Sequence, residues 1–197
     1  MFGRRAERGQ VEARPSQVRD EQELIARVAS GDLRAFEALY RLYHPRLTRF
    51  LGAITRRAHV VEEALNDTMF VVWRRADSYD GRSKVSTWVF AIAYRKAREA
   101  LRKLDEPLED AADTRESAEP APDHQYGQGQ LQKALVQAMA GLSADHRAVV
   151  DLTYFHEIGY REIAQIMDCP VDTVKTRMFH ARRRLRAMLA GDLADWL

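Results

Sequence analysis

A chain of 197 residues, 46% hydrophobic and 30% charged, has apolar surface for one or two small cores but not for a large one. Its net charge of +2 averages segments of opposite sign and excludes neither basic nor acidic partners. No run approaches the roughly 20 uncharged apolar residues of a membrane helix, and the single cysteine, Cys169, excludes an internal disulfide and a cysteine-based zinc site.

Residues 1 to 19 carry Arg4, Arg5, Arg8, Arg14 and Arg19 with few apolar side chains and no apolar stretch behind them, which reads as a disordered basic arm and not a secretory leader. The expected compartment is the cytoplasm. The six histidines are scattered without a ligand pair, so no metal and no cofactor is expected.

From Asp20 to Leu104 apolar residues recur at helical spacing: Leu24, Ile25 and Val28, then Phe36, Leu39, Tyr43, Leu47, Phe50 and Ile54, then Val61, Leu65, Thr68 and Val72. The pattern predicts an all-α domain over residues 20–104. On the third of these helices a second face carries Glu63, Asn66, Asp67, Phe70 and Trp73 at helical intervals. Carboxylates beside large aromatics suit a protein-docking surface and would repel DNA phosphates. On spacing alone, Phe70 and Trp73 fit equally well as core beneath a neighbouring helix.

The next helix, about Ser86 to Leu104, is expected to bury Phe90, Ala93, Ala97, Leu101 and Leu104. It leaves Arg95, Arg98 and Arg102 as a basic stripe flanked by Lys96 and Lys103. Ahead of it, residues 79 to 87 form a turn-rich loop with Ser83 and Lys84 beside Tyr79 and Trp88. That loop reads either as a holder for an unstacked base or as a plain helix connection, with Trp88 and Tyr94 filling the core.

Residues 105–128 contain Pro107, Pro120 and Pro122 without apolar periodicity, and residues 104 to 128 carry eight acids against Arg115 alone. They read as an acidic flexible linker between two domains. A second domain over 129–190 follows, with Leu131, Leu135, Met139 and Leu142 on one helix and Val149, Leu152 and Phe155 on another. Ile163 and Ile166 mark a third, and Val171, Val174, Met178, Ala181 and Leu185 a fourth; residues 191–197 are a tail.

Tyr160 to Arg177 has helix-turn-helix punctuation: a short helix, a tight connection from Asp168 to Pro170, and a second helix. Opposite its apolar stripe that second helix projects Asp172, Thr173, Lys175, Thr176, Phe179, His180 and Arg183, residue types that bind phosphates and base edges. A solvated basic face explains such a stripe when it stands alone; the preceding helix and turn favour DNA.

Two motif sets now carry a resemblance. Residues 61–73 (VEEALNDTMFVVW) resemble region 2.2 of group IV, or extracytoplasmic function (ECF), sigma factors of the sigma-70 family, and residues 88–96 (WVFAIAYRK) resemble their regions 2.3 and 2.4. Residues 140 to 185 resemble region 4. The resemblance implies two small helical domains and a non-enzymatic factor that binds core RNA polymerase and directs promoter-specific initiation. It implies that Glu63, Asn66, Asp67, Phe70 and Trp73 bind the β′ clamp helices and that Ser83, Lys84, Trp88, Tyr94, Arg95, Lys96, Arg98 and Arg102 melt and read the −10 element. It places Arg161, Thr173, Lys175, Thr176, Arg177, Phe179, His180 and Arg183 at the −35 element, the second domain on the β flap and the linker in the polymerase channels. An anti-sigma protein, soluble or at the inner membrane, is the implied regulator. Met69 stands where a Phe is usual, Asp168 where Gly is common and His180 where Arg often sits, which bears on promoter preference.

The competing reading within DNA binding is a stand-alone LuxR-like helix-turn-helix regulator, in which the acidic, aromatic face around Asp67 has no task. A protein that sequesters polymerase without initiating is another. An enzyme using Glu62 with Glu63, or Glu157 with Glu162, is disfavoured because neighbouring carboxylates on helices are usually solvated and nothing cups a small-molecule substrate.

Overall fold

The computed structural model describes residues 15–104 and 128–193. Within them lie eight α-helices and no strand. The first four are α1 (Pro15–Ala29), α2 (Leu33–Thr55), α3 (Ala58–Arg75) and α4 (Val85–Lys103), with a 3₁₀ turn at Ala76–Ser78. The second four are α5 (Gln128–Ala140), α6 (Ala144–Tyr154), α7 (Tyr160–Met167) and α8 (Val171–Leu193). Residues 15–19, assigned above to the basic arm, are the first turns of α1. Residues 105–127 of the linker lie outside the described residues.

Asp32 sets the start of α2. Its carboxylate accepts from the amides of Arg34 (2.9 Å) and Ala35 (3.1 Å), filling orphan donors of the first turn, and pairs with Arg27 at 2.7 Å. The Arg27 guanidinium, with the Ala35 amide, holds the Asp32 carboxyl below its ordinary range. The helix runs on through Pro45, whose missing N–H frees the carbonyl of Arg41; both residues are exposed, so water can meet it.

The first core gathers Leu39, Tyr43, Leu47 and Phe50 of α2, Leu65 and Val72 of α3, and Val89 and Phe90 of α4. Glu21 of α1 is buried with them because Tyr43 donates to it at 2.7 Å and Arg46 neutralises it at 3.3 Å. Burial, aided by the charge of Glu21, raises the Tyr43 hydroxyl well above its usual range. In the second domain Leu142, Val149, Leu152, Ile163, Ile166, Val174 and Met178 close the core.

Three residues placed on apolar stripes by periodicity stand exposed instead: Leu104, Leu135 and Phe155. Leu104 and Phe155 each lie one residue past the end of their helix, where the stripe no longer faces a neighbour. Leu135 sits mid-helix on the outer side of α5.

The two domains share one continuous apolar core, with α2 packed on α6 and α4 on α7. Its polar seams are specific. The guanidinium of Arg147 donates to the carbonyls of Ala53 and Ile54, each at 2.6 Å, and to that of Leu142. Ala53 and Ile54 belong to the last turn of α2, whose carbonyls lack intrahelical donors, so the arginine from α6 caps the C-terminus of a helix in the other domain. Beside it the ring of His156 lies 4.7 Å from Phe90 and 6.3 Å from Phe50, and Arg49 lies 3.4 Å from Asp151.

Candidate polymerase-binding and DNA-binding surfaces

The helical register of α3 buries Val61, Ala64, Leu65, Thr68, Met69 and Val72 and turns the opposite side outward. Glu63, Asn66, Asp67 and Phe70 are all exposed there, Phe70 by 63%. An aromatic ring that open to water is not completing a core, so of the two readings of Phe70 the docking face is the one its placement supports. Trp73 is half-buried, its ring edge-on to Phe36 at 5.1 Å, and belongs partly to the packing between α2 and α3. Met69 is buried beneath this face.

The loop before α4 is a built structure. Asp80 accepts from the amide of Arg82 at 3.0 Å, Gly81 supplies the positive φ of 74° that the turn requires, and Tyr79 donates to the carbonyl of Ser83 at 2.5 Å. Tyr79 and Trp88 meet at a tilt with ring centroids 5.8 Å apart, both half-buried, and burial raises the Tyr79 hydroxyl. This fixes Ser83 and Lys84 at the N-terminus of α4.

Of the residues of α4 assigned above to the −10 element, those from Tyr94 onward divide into three groups. Arg95 and Arg102 are exposed. Lys96 reaches back to Asp67 of α3 at 3.2 Å, so the acidic face and the basic stripe adjoin along the α3–α4 seam. Tyr94 and Arg98 face the second domain instead: Tyr94 is 2% exposed and donates to Asp145 at 2.5 Å, with the Arg98 guanidinium 5.7 Å from its ring. Burial, and then the negative charge of Asp145, push the Tyr94 hydroxyl far above its ordinary range.

In the second domain Asp168 ends α7 in the left-handed conformation (φ 50°), and the Cys169 amide bonds the Ala164 carbonyl at 3.1 Å. That is why a position favouring Gly tolerates a short polar residue. The Pro170 carbonyl accepts from Thr173 (3.0 Å) and Val174 (3.3 Å), launching α8. Lys175, Thr176, Phe179, His180 and Arg183 are exposed on one side of α8 and Arg161 on α7, with Thr173 half-buried. Lys175 is tethered to Asp172 at 2.9 Å. Arg177 does not join this face; it turns inward to Asp145 at 2.5 Å and touches the Cys169 sulfur at 3.8 Å. Burial raises the Cys169 thiol.

Residues 39–106 match the family model for sigma-70 region 2, and residues 132–185 the model for sigma-70 region 4. The ECF RNA polymerase sigma factor RpoE of Cereibacter sphaeroides is 31% identical over 156 residues, covering 79% of this chain and 86% of that protein. The chain belongs to the ECF RNA polymerase sigma factors. Among other relatives of this sigma factor, the RNA polymerase sigma-H factor of Pseudomonas aeruginosa is 29% identical over 179 residues, covering 84% of this chain and 91% of that one.

The sigma factor RpoE of Bartonella quintana, solved in complex with the anti-sigma factor NepR, superimposes with a TM-score of 0.58 at 26% identity, covering 80% of this chain and 98% of that one. CnrH, solved with the cytosolic domain of CnrY, shares the fold: TM-score 0.66, 24% identity, 88% of this chain and 99% of that one. The region 2 match thus falls on α2–α4 and the region 4 match on α5–α8. Among the described residues no helix is long and apolar enough to cross a membrane.

Two residues of this sigma factor that the sequence reading did not single out as functional are Asp145 and Glu162. Asp145, in the first turn of α6, is buried between Tyr94 and Arg177. Glu162 of α7, treated above as one of a solvated carboxylate pair, bonds Lys84 at 2.7 Å and Thr87 at 3.4 Å. The one available signal for Asp145 was a carboxylate two residues after an N-capping Ser143, where negative charge meets the positive end of a helix.

Proposed function

We propose that the chain binds core RNA polymerase through the exposed α3 face of Glu63, Asn66, Asp67 and Phe70, flanked by Trp73, and directs it to promoters carrying −35 and −10 elements. The observation that carries the reading is the pairing, in one sigma factor, of an acidic face centred on exposed Phe70 with a helix-turn-helix whose second helix exposes Lys175, Thr176, Phe179, His180 and Arg183.

The two surfaces suit different partners. Asp67 and Glu63 attract a basic protein surface and Phe70 supplies the desolvated anchor of an interface. On α8, Lys and Arg take phosphates or guanine edges, Thr offers a hydroxyl or a methyl, and Phe179 meets a thymine methyl. The −10 element is taken by the loop at 79–87 and by α4. Extruded bases stack against the Tyr79–Trp88 pair while Lys84, Arg95, Lys96, Arg98 and Arg102 hold the backbone, offsetting a few kcal/mol of unstacking per step.

Each DNA contact is modest, and specificity arises because polymerase holds both domains at a fixed spacing. The protein performs no covalent step. It works in the cytoplasm, and an anti-sigma protein that grips both domains is its regulator, as NepR accompanies RpoE of Bartonella quintana.

Affinity capture of core polymerase tests the reading. The wild-type chain retains core enzyme, Asp67→Lys loses at least tenfold of that affinity, and a chain that binds an operator tightly alone but ignores polymerase belongs to the stand-alone regulator reading instead.

A further inference from the structure

Asp172, outside the −35 set named above, lies in the first turn of α8. Thr176, Phe179 and Arg183 follow it at i+4, i+7 and i+11, so the four share one stripe down the outer side of the helix. All four are exposed, the Asp172 side chain by 89%. Its carboxylate meets the ammonium of Lys175, one turn on and itself 60% exposed, at 2.9 Å. A side chain this open to water serves no core. An exposed acid at a helix start steadies the helix a little through the dipole, but on a face that meets DNA the same charge repels phosphates.

We infer that Asp172, with Lys175 beside it, reads one base pair of the −35 element and selects cytosine on the strand it faces. The inference rests on the reading of α8 as the −35 helix and adds a base preference to it. In a recognition helix the N-terminal residues are the ones that reach base edges. A carboxylate only accepts hydrogen bonds, and the major-groove donors are the N4 amine of cytosine and the N6 amine of adenine. Guanine and thymine turn carbonyl oxygens toward it and are repelled.

Lys175 decides between the two amine-bearing bases. Its ammonium has three donors, so one can stay on Asp172 while the others reach the opposite base. Guanine, opposite cytosine, offers O6 and N7; thymine, opposite adenine, offers O4 alone. The cytosine amine and guanine O6 are neighbours on the groove edge, being bonded to each other, and the Asp172–Lys175 pair sets an acceptor beside a donor in the same way. The expected order is cytosine, then adenine, with guanine and thymine rejected. Rejection matters as much as attraction: the acid weakens binding to every sequence, and an amine-bearing base at this one position restores it.

The test uses the full chain assembled with core polymerase on a promoter library with the −10 element fixed and the −35 element randomised, followed by sequencing of the retained templates. The wild type should show one −35 position at which cytosine is preferred about tenfold over guanine or thymine. In Asp172→Ala that position alone should flatten to within about twofold, while templates with the wrong base there gain about threefold in retention. Lys175→Ala should weaken the cytosine preference and keep it.

A cytosine preference that survives Asp172→Ala, or a −35 element with no such position, overturns the inference. Uniform weakening across the element together with a lower circular-dichroism melt also overturns it, because Asp172 then only supports the helix. Complete loss of the preference in Lys175→Ala does the same, because Asp172 then acts only by holding Lys175. Failure of the −35 reading looks different: the wild-type holoenzyme then retains templates whatever their −35 sequence, and the inference falls with it.

Discussion

The carboxylate of Asp67 on α3 lies 3.2 Å from the ammonium of Lys96 on α4. The residue at the centre of the proposed polymerase-binding face thus holds a residue of the proposed −10 stripe, and the two surfaces meet along one seam. Asp67→Asn is expected to weaken polymerase binding and, by releasing Lys96, to strengthen DNA contact. Lys96→Ala should weaken DNA contact alone. Measuring core affinity and promoter-complex lifetime for both variants and their combination separates the two effects, and a double-mutant cycle that is additive within about 0.3 kcal/mol would show the pair to be uncoupled.

Phe70 is more than half exposed, so its truncation costs the fold little. Phe70→Ala should leave the unfolding free energy within about 0.5 kcal/mol of wild type. Core-polymerase affinity should fall by about 2 kcal/mol, roughly 30-fold, as for an aromatic anchor at an interface centre. Titration of labelled chain with core enzyme, beside urea denaturation, checks both halves.

Asp145 behaves in the opposite way. It is buried with its carboxylate shared by Tyr94 and Arg177, so Asp145→Ala removes from the interior the charge that balances a guanidinium and the acceptor of a buried hydroxyl. The expected cost is about 3 to 5 kcal/mol of folding stability, read from urea denaturation.

Much of this layout was legible in the sequence. The turn at Asp168 to Pro170 and the 3.6-residue stripes located α7 and α8, because punctuation and periodicity are local signals. Glu63, Asn66, Asp67 and Phe70 fell on one outward face for the same reason. The inward turn of Tyr94 and Arg177 was not legible: Asp145 is 51 positions from Tyr94, across the linker, and no local pattern encodes that pairing. Buried Glu21 escaped likewise, since its partners Tyr43 and Arg46 lie 22 and 25 positions away. Periodicity also overran the ends of α4 and α6, placing exposed Leu104 and Phe155 in the core.

Cys169 is held neutral by burial foremost, which outweighs the opposing charge of Arg177. A raised thiol pKa means less thiolate at neutral pH than an ordinary cysteine carries, and so slower alkylation. Iodoacetamide labelling should lag behind that of a free thiol at pH 7 and accelerate about tenfold per pH unit up to the raised pKa. Cys169→Ser should transcribe like the wild type before and after mild peroxide.

His180 is exposed on the proposed DNA-reading face of α8. A guanidinium is charged at every working pH and binds phosphate in a fork, so His180→Arg should steepen the dependence of promoter affinity on salt, by roughly one unit in the log–log slope. Binding measured across a range of salt concentrations gives the slope directly.

Transcription reconstituted from core polymerase and this chain on a randomised promoter library tests most directly whether an acidic, aromatic ridge on α3 and two basic DNA-reading helices act together on one platform. Transcripts should come from templates sharing two short elements at a constant separation and should disappear with Phe70→Ala. Transcription that needs only one element, or that persists undiminished in the Phe70 variant, would contradict it.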